Sequence, residues 1–244
     1  MKIAPIKAQT SQERNIFMTI GFNKPSLDLR ERFMTFGPKH LSDTELLAAF
    51  IGSGTRYQSC LQIAHELLDH FGDLRQLLQA EFKQFQTIKG IGAVRFIQMK
   101  AMVEMCHRRD YIALKKADFL SDSKAAYHFI KRLLRDKKNE TLCILFLDKY
   151  QRVICYDETS HGSLDFTQIS LRAIIDKTLS VNAAALILAH NHPSGSITMS
   201  ASDKNTTKRL KKALAFIEVM LLDHLIIGDN QIYSMMQAQS WSCY

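Results

Sequence analysis

The segment Ala189-His190-Asn191-His192-Pro193-Ser194-Gly195, followed by Ser200-Ala201-Ser202-Asp203, concentrates side chains that bind cations. Two histidines at i and i+2 on extended backbone point the same way, because side chains alternate along a strand. Both imidazoles can then reach one ion, and Asp203 can swing back from a following helix to supply an oxygen. Two His and one carboxylate leave a fourth tetrahedral position open, the composition of a catalytic zinc site rather than a closed structural one. Such an ion lowers the pKa of a bound water toward about 7 and polarises a carbonyl. The competing reading is a pair of surface-loop histidines. The full string, with two His, Pro, Ser and Asp at fixed offsets after an apolar strand, is more specific than His-x-His alone.

The elements around this string must hold it. Ala183–Ala189 reads as a buried strand ending at His190, and ligand sites often lie at strand ends. Pro193 and Gly195 turn the chain, and 200–217 reads as a helix. Upstream, a helix over Ser123–Leu134 leads into a strand over Glu140–Asp148, a turn at 149–151, a strand over Arg152–Tyr156 and a third strand near Ser163–Phe166. A helix over Leu171–Leu179, a strand over Met220–Ile227 and a short strand over Gln231–Met235 complete the set. Mixed strands and helices indicate an α/β (α+β) layer domain.

The first half reads as helical. Ser42 is a candidate N-cap, and Glu45 three residues on completes a capping box before Leu46–Ile51. Further helices are expected over Ser59–Phe71 with Gly72 as the stop, over Leu74–Leu78, from Phe82 to Thr87 and from Ala93 to about Arg109. Residues 110–121 read as a connection. The expected organisation is a flexible segment over 1–26, a helical domain over 27–115 and a mixed-sheet domain over 122–244.

Composition narrows the function classes. The net charge of +8 leans toward the first half and raises the odds of a polyanion partner; a solvated basic face is the alternative. The five cysteines form no CxxC pair, a pattern suited to a reducing cytoplasm and not to a disulfide scaffold. No apolar run has the roughly 20 residues of a membrane span, and the first residues lack the apolar core of a signal peptide. A cytoplasmic location is therefore expected.

The string HNHPSG…S..D resembles the motif of the JAMM (MPN+) metalloenzymes, and within them the RadC-like proteins. The likeness extends to Glu140, Leu142–Asp148, Arg172 and Leu222-Asp223-His224, and in the first half to Glu31-Arg32-Phe33, Leu41–Leu47, Gly52–Thr55 and Ile88–Gly92. It implies a JAB/MPN domain with one Zn2+ held by His190, His192 and Asp203. It also implies a general-base glutamate upstream of the histidines, for which Glu140 fits the place and Glu158 is the runner-up. Ser200 matches the motif serine, which donates to a developing oxyanion; helix N-capping is its other role, and the two can coexist. His224 is read either as a partner that orients a ligand or as a satisfied core histidine, and it is left out of the ligand set. The chain departs from the family pattern in carrying Ile197 and Met199 in the loop before Ser200, and Asp157 and Ser163 where the family has Glu and Thr.

Thr87-Ile88-Lys89-Gly90-Ile91-Gly92 lies between two expected helices and resembles the helix-hairpin-helix motif of DNA-binding proteins. Free N–H groups at the next helix start can bind a phosphate, with Lys89 and Arg95 adding charge. Contact of this kind would be independent of base sequence; an αα-hairpin that only packs helices is the alternative. Two functional readings result. One is a zinc-dependent metallopeptidase-like hydrolase attacking an amide or isopeptide bond of a protein or peptide. The other is a non-catalytic DNA-binding accessory protein, linked to DNA repair by the RadC name, with a structural metal.

Overall fold

A computed structural model describes residues 28–88, 90–116, 123–160 and 170–242. The expected flexible segment over 1–26 and the expected strand near Ser163–Phe166 lie outside these residues. The chain divides into two compact units, Met1–Phe96 and Ile97–Tyr244.

The described part of the first unit is helical: α1 (Leu29–Phe36), a 3-10 turn (Pro38–His40), α2 (Asp43–Ile51), α3 (Cys60–Phe71), α4 (Leu74–Gln79), α5 (Phe82–Phe85) and the first turn of α6 (Ala93–Lys116). Local chemistry sets the starts. Ser42 and Glu45 form the expected reciprocal capping box on α2, and Asp28 with Glu31, and Ser59 with Gln62, do the same for α1 and α3. Ile63, Leu67 and Leu77 are fully buried, and Phe85 stacks against Phe71 and Phe96 with ring centroids 5.0 and 5.3 Å away.

The glycine turn is built tightly at one position only. Gly90 has φ +87°, and a Cβ there would lie 3.0 Å from Thr55 Cγ2 and 3.2 Å from Ile63 Cδ1. Gly92 is exposed, and a Cβ on it would meet nothing within 4 Å.

Helix α6 is longer than its sequence pattern predicts. It runs to Lys116, so residues 110–116 are helix and not connection, and the division between the two compact units falls inside α6. The cause is long-range. Tyr111 packs its ring 5.9 Å from Phe129 and 5.0 Å from Tyr156, Leu114 is buried in the same cluster, and Asp110 pairs with Arg132. Packing of an apolar face fixes a helix that local propensity alone leaves open.

The second unit continues with α7 (Ser123–Leu134), β1 (Thr141–Leu147), β2 (Val153–Ser160), α8 (Leu171–Ser180), β3 (Ala185–Asn191), α9 (Ala201–Ala215), β4 (Met220–Ile227), β5 (Gln231–Ser234) and β6 (Gln239–Ser242). The sheet order is β2-β1-β3-β4-β5-β6. Among the described strands only β3 and β4 pair in parallel, joined by the α9 crossover, as parallel neighbours require. This is the expected α/β class. Strand β2 runs to Ser160 rather than ending at Tyr156, because the β1 register pairs Thr141 with Ser160. Strand β6 was not foreseen.

Every residue of β1 and β3 is buried, as for strands covered on both faces. Ile130 and Leu134 of α7 pack with Leu145, Ile187 and Leu225 on one face. Leu210 and Leu214 of α9 and Ile174 of α8 pack with Ile144, Leu186 and Leu188 on the other. Alternation then sends His190 toward the α9 side and Asn191 toward the opposite side.

Gly90→Ala is expected to destabilise the helical unit by about 1–3 kcal/mol through left-handed backbone and crowding, whereas Gly92→Ala stays within about 0.5 kcal/mol of the parent. Urea unfolding of both variants checks this; equal midpoints would contradict the role given to Gly90.

Candidate metal centre

His190 is the sixth residue of β3 and pairs with Leu142 of β1. His192 leaves the strand, and its N–H donates to Ile227 O at 3.0 Å, which ties the turn to the end of β4. The turn then closes tightly: Gly195 has φ +78°, its N–H donates to His192 O at 2.8 Å, and a Cβ at Gly228 would lie 2.6 Å from Gly195 O. The His-Asn-His-Pro-Ser-Gly segment is thereby held against the strand that follows the crossover.

The two Nε2 atoms face each other at 3.1 Å. His192 Nδ1 lies 3.0 Å from Ser196 O. A carbonyl only accepts, so Nδ1 carries the proton and Nε2 presents its lone pair to the site. Asp203 Oδ1 is 3.4 Å from His190 Nε2, Asp203 Oδ2 is 3.9 Å from His192 Nε2, and Glu140 Oε1 is 3.7 Å from His192 Nε2. Glu140, His190 and His192 each offer a donor atom within 4.8 Å of the others. Both carboxylates therefore reach the imidazole pair, and they differ in their anchoring. Asp203 is 1% exposed and its Oδ2 accepts the Ser200 N–H at 2.7 Å. The Glu140 side chain retains 15% exposure and lines the adjoining cavity.

That cavity, of about 460 Å³, is walled by Glu140, His192, Asp203 and a row of hydroxyl residues including Ser200, with no Lys or Arg among the described residues that line it. A larger cleft of about 710 Å³ in the first unit is lined by Asp28, Arg30, Phe33, Ala48 and Cys60 among others. It brings together no set of imidazoles and carboxylates, so the smaller cavity carries the chemistry.

The residues fit a divalent cation. Two carboxylates and two imidazoles converge without a basic side chain among the described residues of the cavity wall, and nitrogen with oxygen donors in this number can hold a divalent cation. Burial, with His192 beside it, pushes His190 down to about 3, so it stays neutral at ordinary pH and can offer a lone pair. Burial raises the Glu140 carboxyl above the usual carboxylate range; His192 opposes and Asp203 reinforces this shift.

Ser200 performs the N-cap role. Its Oγ accepts the Asp203 N–H at 3.0 Å while Asp203 accepts the Ser200 N–H. Glu158, the runner-up base, is elsewhere: it lies opposite Cys143 in the β1–β2 register, on the α7 side of the sheet, and pairs with Lys137.

Asn191, Thr207 and Asp223 support the site without a role read from the sequence, and His224, read there as an orienting partner or a core histidine, lies beside His190. Asn191 Oδ1 accepts the Thr141 N–H at 2.8 Å, and its Nδ2 donates to the Lys137 and Asn139 carbonyls at 3.0 and 3.3 Å. It thus fixes the segment that carries Glu140. His224 Nε2 lies 2.8 Å from His190 Nδ1, and Thr207 Oγ1 contacts His224 Nδ1. Asp223, which is buried, accepts from Tyr127 Oη at 3.0 Å and from the His224 N–H at 2.7 Å and so holds β4 at this point.

In the glycine turn, the Arg95 guanidinium is engaged by the carbonyls of Gly90 and Ser53. It braces the turn. Lys89 lies outside the described residues.

A family model described as RadC-like JAB domain matches residues 120–241, and one described as UPF0758 N-terminal matches residues 26–97. The chain belongs to the RadC-like family. It is 46% identical to a UPF0758 protein of Legionella pneumophila (strain Lens) over 226 residues, covering 93% of this chain and 100% of that protein. It is 38% identical to UPF0758 proteins of Aliivibrio fischeri (strain ATCC 700601 / ES114) and Cellvibrio japonicus (strain Ueda107), in each case over 84% of this chain and 92% of the relative. These names state no reaction. Among the described residues, no helix is long and apolar enough to cross a membrane.

Two expectations follow from the geometry. Asn191→Ala leaves the Thr141 N–H without its buried acceptor, which costs about 1–3 kcal/mol; zinc content should be retained, while any Glu140-dependent turnover falls. Metal analysis and turnover of the one variant, measured together, check this. The second concerns acid. His190 and His224 are both held below their unfolded value of 6.5 by burial. The unfolded chain then binds more protons below pH 6.5, so this stability is fully present above 6.5 and is lost as pH falls toward about 3. The raised Glu140 acts in the opposite sense. The melting temperature of chelator-treated protein should fall between pH 6.5 and 5, above the ordinary carboxylate range, and more shallowly in His224→Phe. Parallel curves for the two proteins would refute it.

Proposed function

We propose that this protein is a zinc-dependent metallopeptidase-like hydrolase whose ion is held by His190, His192 and Asp203. The observation that carries the reading is the pair of Nε2 atoms 3.1 Å apart, faced by two carboxylates in a cavity whose described lining holds no Lys or Arg. Membership of the RadC-like JAB family supports the same assignment. Asp203 is the better third ligand, because its buried carboxylate is already oriented by the helix cap, and Glu140 remains at the cavity side. A bound zinc ion supplies Lewis acidity, lowering the pKa of water toward about 7 and polarising a carbonyl.

The chain's own residues do the rest. Glu140, with its carboxyl raised toward the working range of a general base, accepts the proton of the attacking water and passes it to the leaving amine. The Ser200 oxygen is occupied by the helix cap, so its hydroxyl proton is available to donate to the oxyanion that develops on the carbonyl. The substrate class is a protein or peptide carrying an amide or isopeptide bond, as the family resemblance implies.

Wild type is expected to contain one zinc per chain by mass spectrometry, and His192→Ala to lose it; equal zinc in both would rule out the site. Glu140→Ala should keep zinc and lose about 10²–10⁴-fold in cleavage of a peptide library. Cleavage unchanged by that substitution would remove Glu140 from the mechanism.

A further inference from the structure

The imidazole pair is backed by a third histidine and a threonine with no access to solvent or little of it. His190 and His224 are 0% exposed, and Thr207 is 6% exposed. Their polar atoms form one line. Thr207 Oγ1 lies 2.6 Å from Asp203 O, it contacts His224 Nδ1, and His224 Nε2 lies 2.8 Å from His190 Nδ1. We propose that His224 and Thr207 are positioning residues, a buried relay that fixes His190 as the Nδ1–H tautomer and turns its Nε2 lone pair into the site.

The argument is one of proton placement at constant charge. Thr207 has a single hydroxyl proton. The Asp203 carbonyl, one turn back in α9, can only accept, and at 2.6 Å it is a far better acceptor than the Met235 sulfur at 3.7 Å, so the proton is placed there. The Thr207 oxygen must then accept from His224, which puts a proton on His224 Nδ1. A neutral imidazole carries one N–H, so His224 Nε2 is an acceptor. It receives the proton of His190 Nδ1, and His190 Nε2 is left as the lone pair facing His192 Nε2 and Asp203. Reversing any link reverses all of them and places an N–H where a ligand lone pair is needed.

The relay also couples two parts of the ligand set. Asp203 supplies its carboxylate to the imidazoles from one end and its carbonyl to Thr207 from the other. The first turn of α9 thereby orients His190 as well as contributing a ligand. Partners of this kind typically change metal affinity by about 10–100-fold when removed.

This inference rests on the zinc reading only for its consequence, and the test separates the two. Imidazole nitrogen NMR on chelator-treated protein reads the tautomer without metal, and competition with a chromogenic chelator reads the zinc Kd. In wild type, His190 should be the Nδ1–H form. In Thr207→Val, the His224 Nδ1 proton has lost its acceptor, so His190 should shift to Nε2–H and the zinc Kd should rise about 10–100-fold. Thr207→Ser restores the hydroxyl and should restore both readings. A wild-type His190 carrying its proton on Nε2 overturns the relay, as does a Thr207→Val protein with unchanged tautomer and unchanged Kd. Wild type with the expected tautomer and no zinc affinity leaves the relay standing and overturns the metal reading.

Discussion

Two imidazoles face each other at 3.1 Å at the end of a central, buried strand, with Asp203 3.4 and 3.9 Å from them and Glu140 3.7 Å from His192. Without a cation this arrangement places like lone pairs face to face and leaves the wall's negative charge unbalanced, which is costly where water is scarce. The rest of the second unit can be understood as the means of holding that arrangement. Strand β3 is buried along its whole length and brings His190 out at a fixed height. The β4 carbonyl of Ile227 then sets the backbone of His192, and the close approach of Gly195 and Gly228 keeps the turn compact.

Strand alternation divides the work of adjacent residues. His190 faces α9, where Leu188 and Leu210 pack and His224 waits behind it, while Asn191 faces the other way and ties down the segment before β1. One dipeptide thus aims a ligand and positions Glu140 by opposite faces. A shift of β3 by one residue would exchange the two faces and lose both functions together.

The local features of this arrangement were legible in the sequence. The His190–His192 spacing, the apolar run before it, Asp203 at the third position of a helix and the Ser42–Glu45 capping box are all set by neighbours a few residues apart. The supporting contacts were not legible, because they join distant residues: His190 to His224 spans 34 positions, Thr207 to His224 spans 17, and Asn191 to Thr141 spans 50. Helix α6 teaches the same lesson. Its last turns depend on Phe129, Tyr156 and Arg132, so its sequence alone placed the end near Arg109. The runner-up Glu158 was separated from Glu140 only by the strand register, which puts it on the far face.

The capping box at Ser200 and Asp203 has a consequence for how the site relates to folding. Asp203 divides its two oxygens, one held by the Ser200 N–H and the other turned toward His190. Its orientation is set by helix formation and by packing of Leu210 and Leu214, neither of which involves an ion. Small zinc domains whose ligands are loose without metal fold only around it. Here the imidazoles and the Asp203 carboxylate are placed by strands and a helix that pack on apolar burial, so their positions do not depend on an ion. Removal of any metal taken up there should then leave the domain folded and the site ready to bind again.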